Sequence, residues 1–261
     1  MSLFTRDDIP PALRSYAPPG AGLTYPPQGM TSEVAFVDGD TPCVIKRCRD
    51  PRYLEWLSRE HRVLLALADS SLPLPRVLGY AQVDKKEEGR EAWLVVSRLE
   101  GRPLWNEMLH ANSQRRARLL RRVGALLKQL HATPVPIGLR SESPWVDRML
   151  AEARDNLVWC DGTVELLADL RHRRPEPLPE VLIHGDLALD NVLVAAEDAM
   201  SLIDWSGGAQ GDPRYDLALA LHTEPEIELS EIELAAFFDG YGGVPMDRST
   251  RRWFENLYEF F

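Results

Sequence analysis

The residues able to do chemistry gather in one stretch, His184-Gly185-Asp186-Leu187-Ala188-Leu189-Asp190-Asn191, followed thirteen residues later by Asp204-Trp205. Moving a phosphoryl group needs one carboxylate to accept or orient the proton of the attacking hydroxyl. It also needs hard oxygen donors to hold Mg²⁺ against the phosphates. Asp186 suits the first task, and Asn191 with Asp204 suits the second. Turns rich in Asp and Asn are common, because both residues favour turn conformations. A turn alone does not explain a second acid carrying matching apolar flanks.

Those flanks are the elements that must position the site. Val181-Leu182-Ile183, Val192-Leu193-Val194 and Ser201-Leu202-Ile203 are short, apolar and β-prone, so they read as buried strands with polar residues at their ends. Upstream, residues 33–37 and 43–47 read as a hairpin across Asp38-Gly39-Asp40. Lys46 ends the second strand, where a lysine is ordinarily a solvated edge residue. A nucleotide-binding protein would instead grip the α- and β-phosphates with it, oriented by a glutamate on the next helix. Residues 53–69 have the helical pattern, with Leu57, Leu64, Leu65 and Leu67 on the apolar side and Glu60 near the middle. Glu60 is either that partner or one more exposed carboxylate. The turn Gln28-Gly29-Met30-Thr31-Ser32 could cover phosphates with N–H groups and small hydroxyls, or be an ordinary turn.

Residues 1–30, rich in proline and glycine, are expected to drape over the surface. Segments 77–83 and 93–97 form a second strand pair. Strand character ends after Ser97, which places a boundary at residues 98–101. Beyond it, Leu119, Leu120, Val123, Leu126, Leu127 and Leu130 make a helical stripe that reads as core. Helices recur at 145–158 and 162–173, and Pro175, Pro177 and Pro179 separate them from the catalytic strands. Asp216 either caps the apolar helix beginning at Leu217 or braces the catalytic loop by hydrogen bonds, with the cap preferred.

Composition narrows the class. At 261 residues, 44% hydrophobic and 27% charged, the chain is that of a soluble globular protein with a full core. A net charge of −10 argues against a nucleic-acid partner and suits a cationic substrate. Residues 224–261 hold nine acids against three arginines and so carry six of those ten charges. No basic leader followed by an apolar run, and no run of membrane-spanning length, is visible, so a cytoplasmic protein without membrane attachment is expected. Cys43, Cys48 and Cys160 lack zinc-ligand spacing and read as free thiols.

With these residues in view, the chain resembles the aminoglycoside phosphotransferases. The resemblance runs through Gly29-Met30-Thr31, Val44-Ile45-Lys46 with Glu60, the segment Leu94 to Gly101, and Leu130-His131-Ala132-Thr133-Pro134. It is most specific in His184-Gly185-Asp186, Asn191, Ile203-Asp204-Trp205, Gly211-Asp212-Pro213 and Asp216-Leu217-Ala218. Within the group it is most similar to the 3′-phosphotransferases, through Met149 to Arg154, Val164 to Leu170, Arg174-Pro175 and Glu259-Phe260-Phe261. The resemblance implies an α+β, two-lobed, protein-kinase-like fold. Residues 1–97 would form an N-terminal antiparallel sheet plus one helix, 98–101 a hinge, and 102–261 a mainly helical lobe.

It further implies ATP or GTP as donor with Mg²⁺. Asp186 would be the catalytic base, and Asn191 and Asp204 the metal ligands. Lys46, Glu60, Met30, Thr31 and Ser32 would serve the phosphates, and the backbone of Ser97 and Leu99 the adenine. Asp161, Glu259 and the Phe261 carboxylate would meet a cationic small-molecule acceptor bearing a hydroxyl, on a monomeric enzyme. Two departures keep the acceptor open. The segment 158–162 is short where the resistance enzymes carry a longer acidic loop, and Trp205 is followed by Ser206 and two glycines where several of those enzymes have an arginine. An amino alcohol, sugar or macrolide kinase, or a nucleotide-binding pseudokinase, are the alternatives. A protein kinase fits less well, since Asp204 and Asp216 are only twelve positions apart and no activation loop is recognisable between them.

Overall fold

The computed structural model describes residues 3–27, 29, 31–85, 89–223, 227–244 and 246–261. The chain forms two compact units, Met1–Glu100 with Ile203–Gly207, and Gly101–Leu202 with Gly208–Phe261.

The first unit is built on a five-stranded antiparallel sheet. Its strands are β1 (Leu23–Thr24), β2 (Glu33–Val37), β3 (Cys43–Cys48), β4 (Val77–Lys85) and β5 (Gly89–Ser97), in the order β1-β2-β3-β5-β4. β3 is therefore the middle strand. Lys46 pairs with Val34 on one side and Leu94 on the other, which removes the edge-residue reading. Helix α1 (Leu54–Ala66) connects β3 to β4 and buries Leu57, Val63 and Leu64. Leu65, expected on the apolar side, is 52% exposed, because the inward stripe passes through Val63 instead.

The proline-rich N-terminal segment does not merely drape. Two 3₁₀ turns, Arg6–Asp8 and Pro11–Tyr16, bring Phe4, Ile9, Leu13 and Ala17 into one core with Ala35, Val37, Ile45, Trp93 and Val95. Burial of such side chains is worth about 1.5–3 kcal/mol for each large one. The prolines set the turns, and the apolar residues between them close one face of the sheet.

The second unit is mainly helical. Its helices are α2 (Leu104–His110), α3 (Ser113–Ala132), α4 (Trp145–Asn156), α5 (Val164–His172), α6 (Pro213–Ala220), α7 (Glu231–Tyr241) and α8 (Arg248–Tyr258). Two small antiparallel sheets accompany them. One joins β6 (Arg102–Pro103), β8 (Val192–Val194) and β9 (Met200–Leu202); the other joins β7 (Val181–Ile183) to β10 (Ala209–Gly211). All six residues of the expected α3 stripe are buried, and Asn112 starts that helix by accepting from Arg115 N at 2.9 Å.

α3 and α7 meet at backbone distance. A Cβ on Gly124 would lie 2.1 Å from Phe237 O, and one on Gly240 would lie 2.0 Å from Arg121 O. Gly124→Ala should therefore force the helices apart and cost about 2–3 kcal/mol. Thermal unfolding should show this as a fall of about 5–10 °C in Tm. An unchanged Tm would contradict the contact.

α8 is held at both ends. Asp247 caps it by accepting from Thr250 N at 2.7 Å, and Trp253 Nε1 donates to Leu170 O at 3.0 Å. After its last turn, Gly162 N donates to Glu259 O at 3.0 Å and Asn156 Nδ2 donates to Phe260 O at 2.9 Å. The Phe260 ring is buried against Gly162, where a Cβ would come within 2.4 Å of it. Among the described residues no helix is long and apolar enough to cross a membrane.

Candidate active site

Each unit carries a cluster that includes some of the expected polar side chains. In the first unit, Lys46 Nζ donates to Glu60 Oε1 at 2.7 Å and Oε2 at 2.9 Å, and also to Asp204 Oδ1. β3 delivers the lysine, and the middle of α1 delivers the glutamate. Ile203–Gly207 belongs to this unit and is tied to α1 by a hydrogen bond from the Trp205 backbone to the Glu60 carboxylate. Burial alone would lower the Lys46 pKa, but the carboxylates of Asp204 and Glu60 outweigh it and hold the ammonium above the usual lysine value. The same burial pushes the Glu60 carboxyl up against the pull of Lys46.

Asp204 differs from its two partners. Lys46 and Glu60 are buried, whereas the Asp204 side chain is 43% exposed. Its φ of +62° lies in the left-handed region, which Asp enters more readily than most residues. The ion pair with Lys46 and the buried ring of Trp205 after it hold that conformation.

In the second unit, the loop after β7 carries Asp186. Its two carboxylate oxygens have different partners: Tyr258 Oη donates to Oδ1 at 3.0 Å, and Asn191 Nδ2 lies 3.2 Å from Oδ2. Asn191 Nδ2 also donates to the Asp186 main-chain oxygen at 2.7 Å, which directs its Oδ1 to the other side of the amide. A carboxylate, as on Asp204, and an amide oxygen, as on Asn191, are each hard donors of the kind Mg²⁺ accepts. Among the described residues, His, Cys, Asp and Glu gather nowhere in threes as a metal cage.

Asp216 overturns the preferred reading of it as a helix cap. Asp212 caps α6, accepting from Arg214 N at 3.0 Å with Pro213 in the first turn. Asp216 lies one turn further in, fully buried. Its Oδ2 accepts from His184 N at 2.7 Å and its Oδ1 from Gly185 N at 2.8 Å, while His131 Nε2 lies 3.2 Å from Oδ2. Tyr241 Oη, 3.0 Å from His131 Nδ1, extends the chain of hydrogen bonds, and burial raises its phenol pKa to about 12. The loop that presents Asp186 is thus braced from behind through its own peptide N–H groups. His184 and His131 were visible in the sequence, but nothing there tied either to this brace.

Thr31 and Ser32 are half-buried just before β2, and Met30 lies outside the described residues. Ser97 ends β5 with its N–H donated to Arg76 O at 2.8 Å, and Leu99 follows half-buried. Asp161 and Glu259 are exposed and Phe261 half-buried, and the Gly162–Glu259 bond brings the three into one neighbourhood. Tyr258 was not expected. Its partner lies 72 residues away, a separation with no local signal.

Comparison with known proteins bears on the family and the fold. A family model described as the phosphotransferase enzyme family matches residues 23–254. An aminoglycoside 3′-phosphotransferase of Streptomyces fradiae is 29% identical over 232 residues, covering 80% of this chain and 77% of that protein. A homoserine kinase of Neisseria meningitidis serogroup B is 30% identical over 141 residues, 50% of this chain and 46% of that protein. Among solved structures, an aminoglycoside-3′-phosphotransferase of type VIII matches with a TM-score of 0.74 at 25% identity, over 96% of this chain and 98% of that one. The expected α+β, kinase-like fold is therefore the fold observed.

Proposed function

The chain belongs to the phosphotransferase enzyme family, and from that premise we propose that it moves the γ-phosphate of ATP or GTP onto a hydroxyl of a small cationic acceptor of aminoglycoside type. The observation that carries this reading is the Lys46 ammonium held between a buried carboxylate, Glu60, and an exposed one, Asp204. A lysine fixed in this way is a preorganised positive charge for the donor phosphates. Asp204 and the Asn191 amide oxygen would hold Mg²⁺, which when bound neutralises charge on the phosphates.

Asp186 would receive the acceptor's proton as the acceptor oxygen bonds to the γ-phosphorus and the bond to the leaving nucleoside diphosphate breaks. The brace from Asp216 keeps that carboxylate in place, so little reorganisation is needed at the moment of reaction. Thr31 and Ser32 would contribute to the phosphate-covering turn, with Met30 beside them. Ser97 O and the Leu99 backbone would receive the base. Asp161, Glu259 and Phe261 would meet the ammonium groups of the acceptor, and the acidic C-terminal segment would draw it in.

Lys46→Ala is expected to lower kcat/KM for the nucleotide about 10²-fold. Steady-state kinetics with ATP and GTP at saturating acceptor test this, and an unchanged value would contradict the role. Glu60 then lacks its counter-charge, so Tm should be read on the same preparation.

A second acceptor class has a specific observation behind it: the homoserine kinase likeness favours a compact amino alcohol. Nucleoside diphosphate release with kanamycin, a macrolide and homoserine in parallel separates the two. Turnover confined to kanamycin supports the aminoglycoside reading, and turnover confined to homoserine replaces it.

A further inference from the structure

Tyr258, the last residue of α8, has no part in the transfer described above, yet its hydroxyl lies 3.0 Å from Asp186 Oδ1. That is the distance at which an acceptor hydroxyl must sit for a carboxylate to take its proton. We propose that the Tyr258 hydroxyl occupies the acceptor hydroxyl's place on Asp186 until an acceptor displaces it, and so keeps water out of that place and suppresses futile hydrolysis of the nucleotide. The inference rests on Asp186 being the base, as proposed above.

Three observations support it. First, Asn191 Nδ2 faces Oδ2 while Tyr258 faces Oδ1, so the protein itself supplies a donor to each carboxylate oxygen. Second, the phenol is delivered by a fixed element. Trp253 anchors α8 to Leu170 O, Phe254 packs its ring with those of Trp145 and Tyr215, and Asn156 and Gly162 hold the two residues after Tyr258. Burial, reinforced by the Asp186 charge, also pushes the Tyr258 phenol above its usual pKa, so the hydroxyl keeps the proton it donates.

Third, Glu259 and Phe261 follow directly in sequence, and Phe261 N donates to Tyr258 O at 3.0 Å. An acceptor drawn to these residues meets the same turn that carries the hydroxyl it must replace. Acceptor docking and release of Asp186 are then one event.

In the suppressed reaction a water oxygen bonds to the γ-phosphorus, the bond to the bridging oxygen breaks, and Asp186 receives a proton. The products are nucleoside diphosphate and inorganic phosphate. Tyr258→Phe keeps the ring and removes only the hydroxyl. Phosphate release from Mg·ATP and Mg·GTP without acceptor should rise about tenfold in this variant. The KM of whichever acceptor the wild type uses should fall several-fold, by about the strength of one displaced hydrogen bond.

Simple loosening of α8 would lower hydrolysis and transfer together and leave their ratio unchanged. A folded Tyr258→Phe enzyme with that unchanged ratio would overturn the proposal. Asp186→Asn measured alongside separates the two claims. If it hydrolyses and transfers as the wild type does, the role of Asp186 fails. If it is inactive while Tyr258→Phe matches the wild type, only the role of Tyr258 fails.

Discussion

Asp186→Asn is expected to lower kcat by about 10³-fold while leaving nucleotide affinity within about twofold. The substitution keeps the size and planarity of the side chain and removes its basicity. The loop should survive it. Asn191 Nδ2 still has the Asp186 main-chain oxygen at 2.7 Å, and the brace from Asp216 reaches His184 N and Gly185 N rather than the side chain of Asp186. Lys46 and Glu60, the groups proposed to serve the nucleotide, belong to the other compact unit. Single-turnover kinetics combined with titration calorimetry would separate chemistry from binding. A kcat within tenfold of wild type would remove Asp186 from the role of base.

The second large effect is expected from Asp216→Asn, which changes one atom at a fully buried position. Two peptide N–H groups, those of His184 and Gly185, point at the two carboxylate oxygens at 2.7 and 2.8 Å. A carboxylate accepts both. An asparagine has one accepting oxygen and one amide that donates, so one N–H would face another donor with no water to relieve it. The expected cost is about 2–4 kcal/mol, seen as a fall of about 5–15 °C in Tm. A fall in kcat of at least tenfold is expected with it, because Gly185 and Asp186 lose their fixed position. Nucleotide affinity should change little. Wild-type stability and turnover in this variant would show that the brace is not needed.

The legible parts were those with strong local pattern. The α3 stripe, the two hairpins of the first unit, and the order of Lys46 and Glu60 could all be read from residue type and period. The errors came where tertiary contacts decide. Asp216 reads as a cap if the apolar run begins at Leu217. Pro213 after Asp212 is the better start signal, since proline favours the first helical turn and aspartate the position before it. The apolar residues of 3–17 were hidden among prolines and carry no helical or strand period, yet they complete a core. The helical pattern puts Leu65 on the apolar side, although the buried face passes through Val63. Tyr258 could not have been placed from sequence, because only the docking of α8 brings it to Asp186.

In the proposed reaction the γ-phosphate ends on an acceptor hydroxyl. The direct measurement is ³¹P NMR of the purified protein with Mg·ATP or Mg·GTP and each of kanamycin, a macrolide and homoserine. A phosphate-monoester resonance is expected on one of these acceptors, growing as the nucleoside diphosphate grows and absent with Asp186→Asn. Nucleoside diphosphate and inorganic phosphate alone with every acceptor, or no turnover at all, would contradict it.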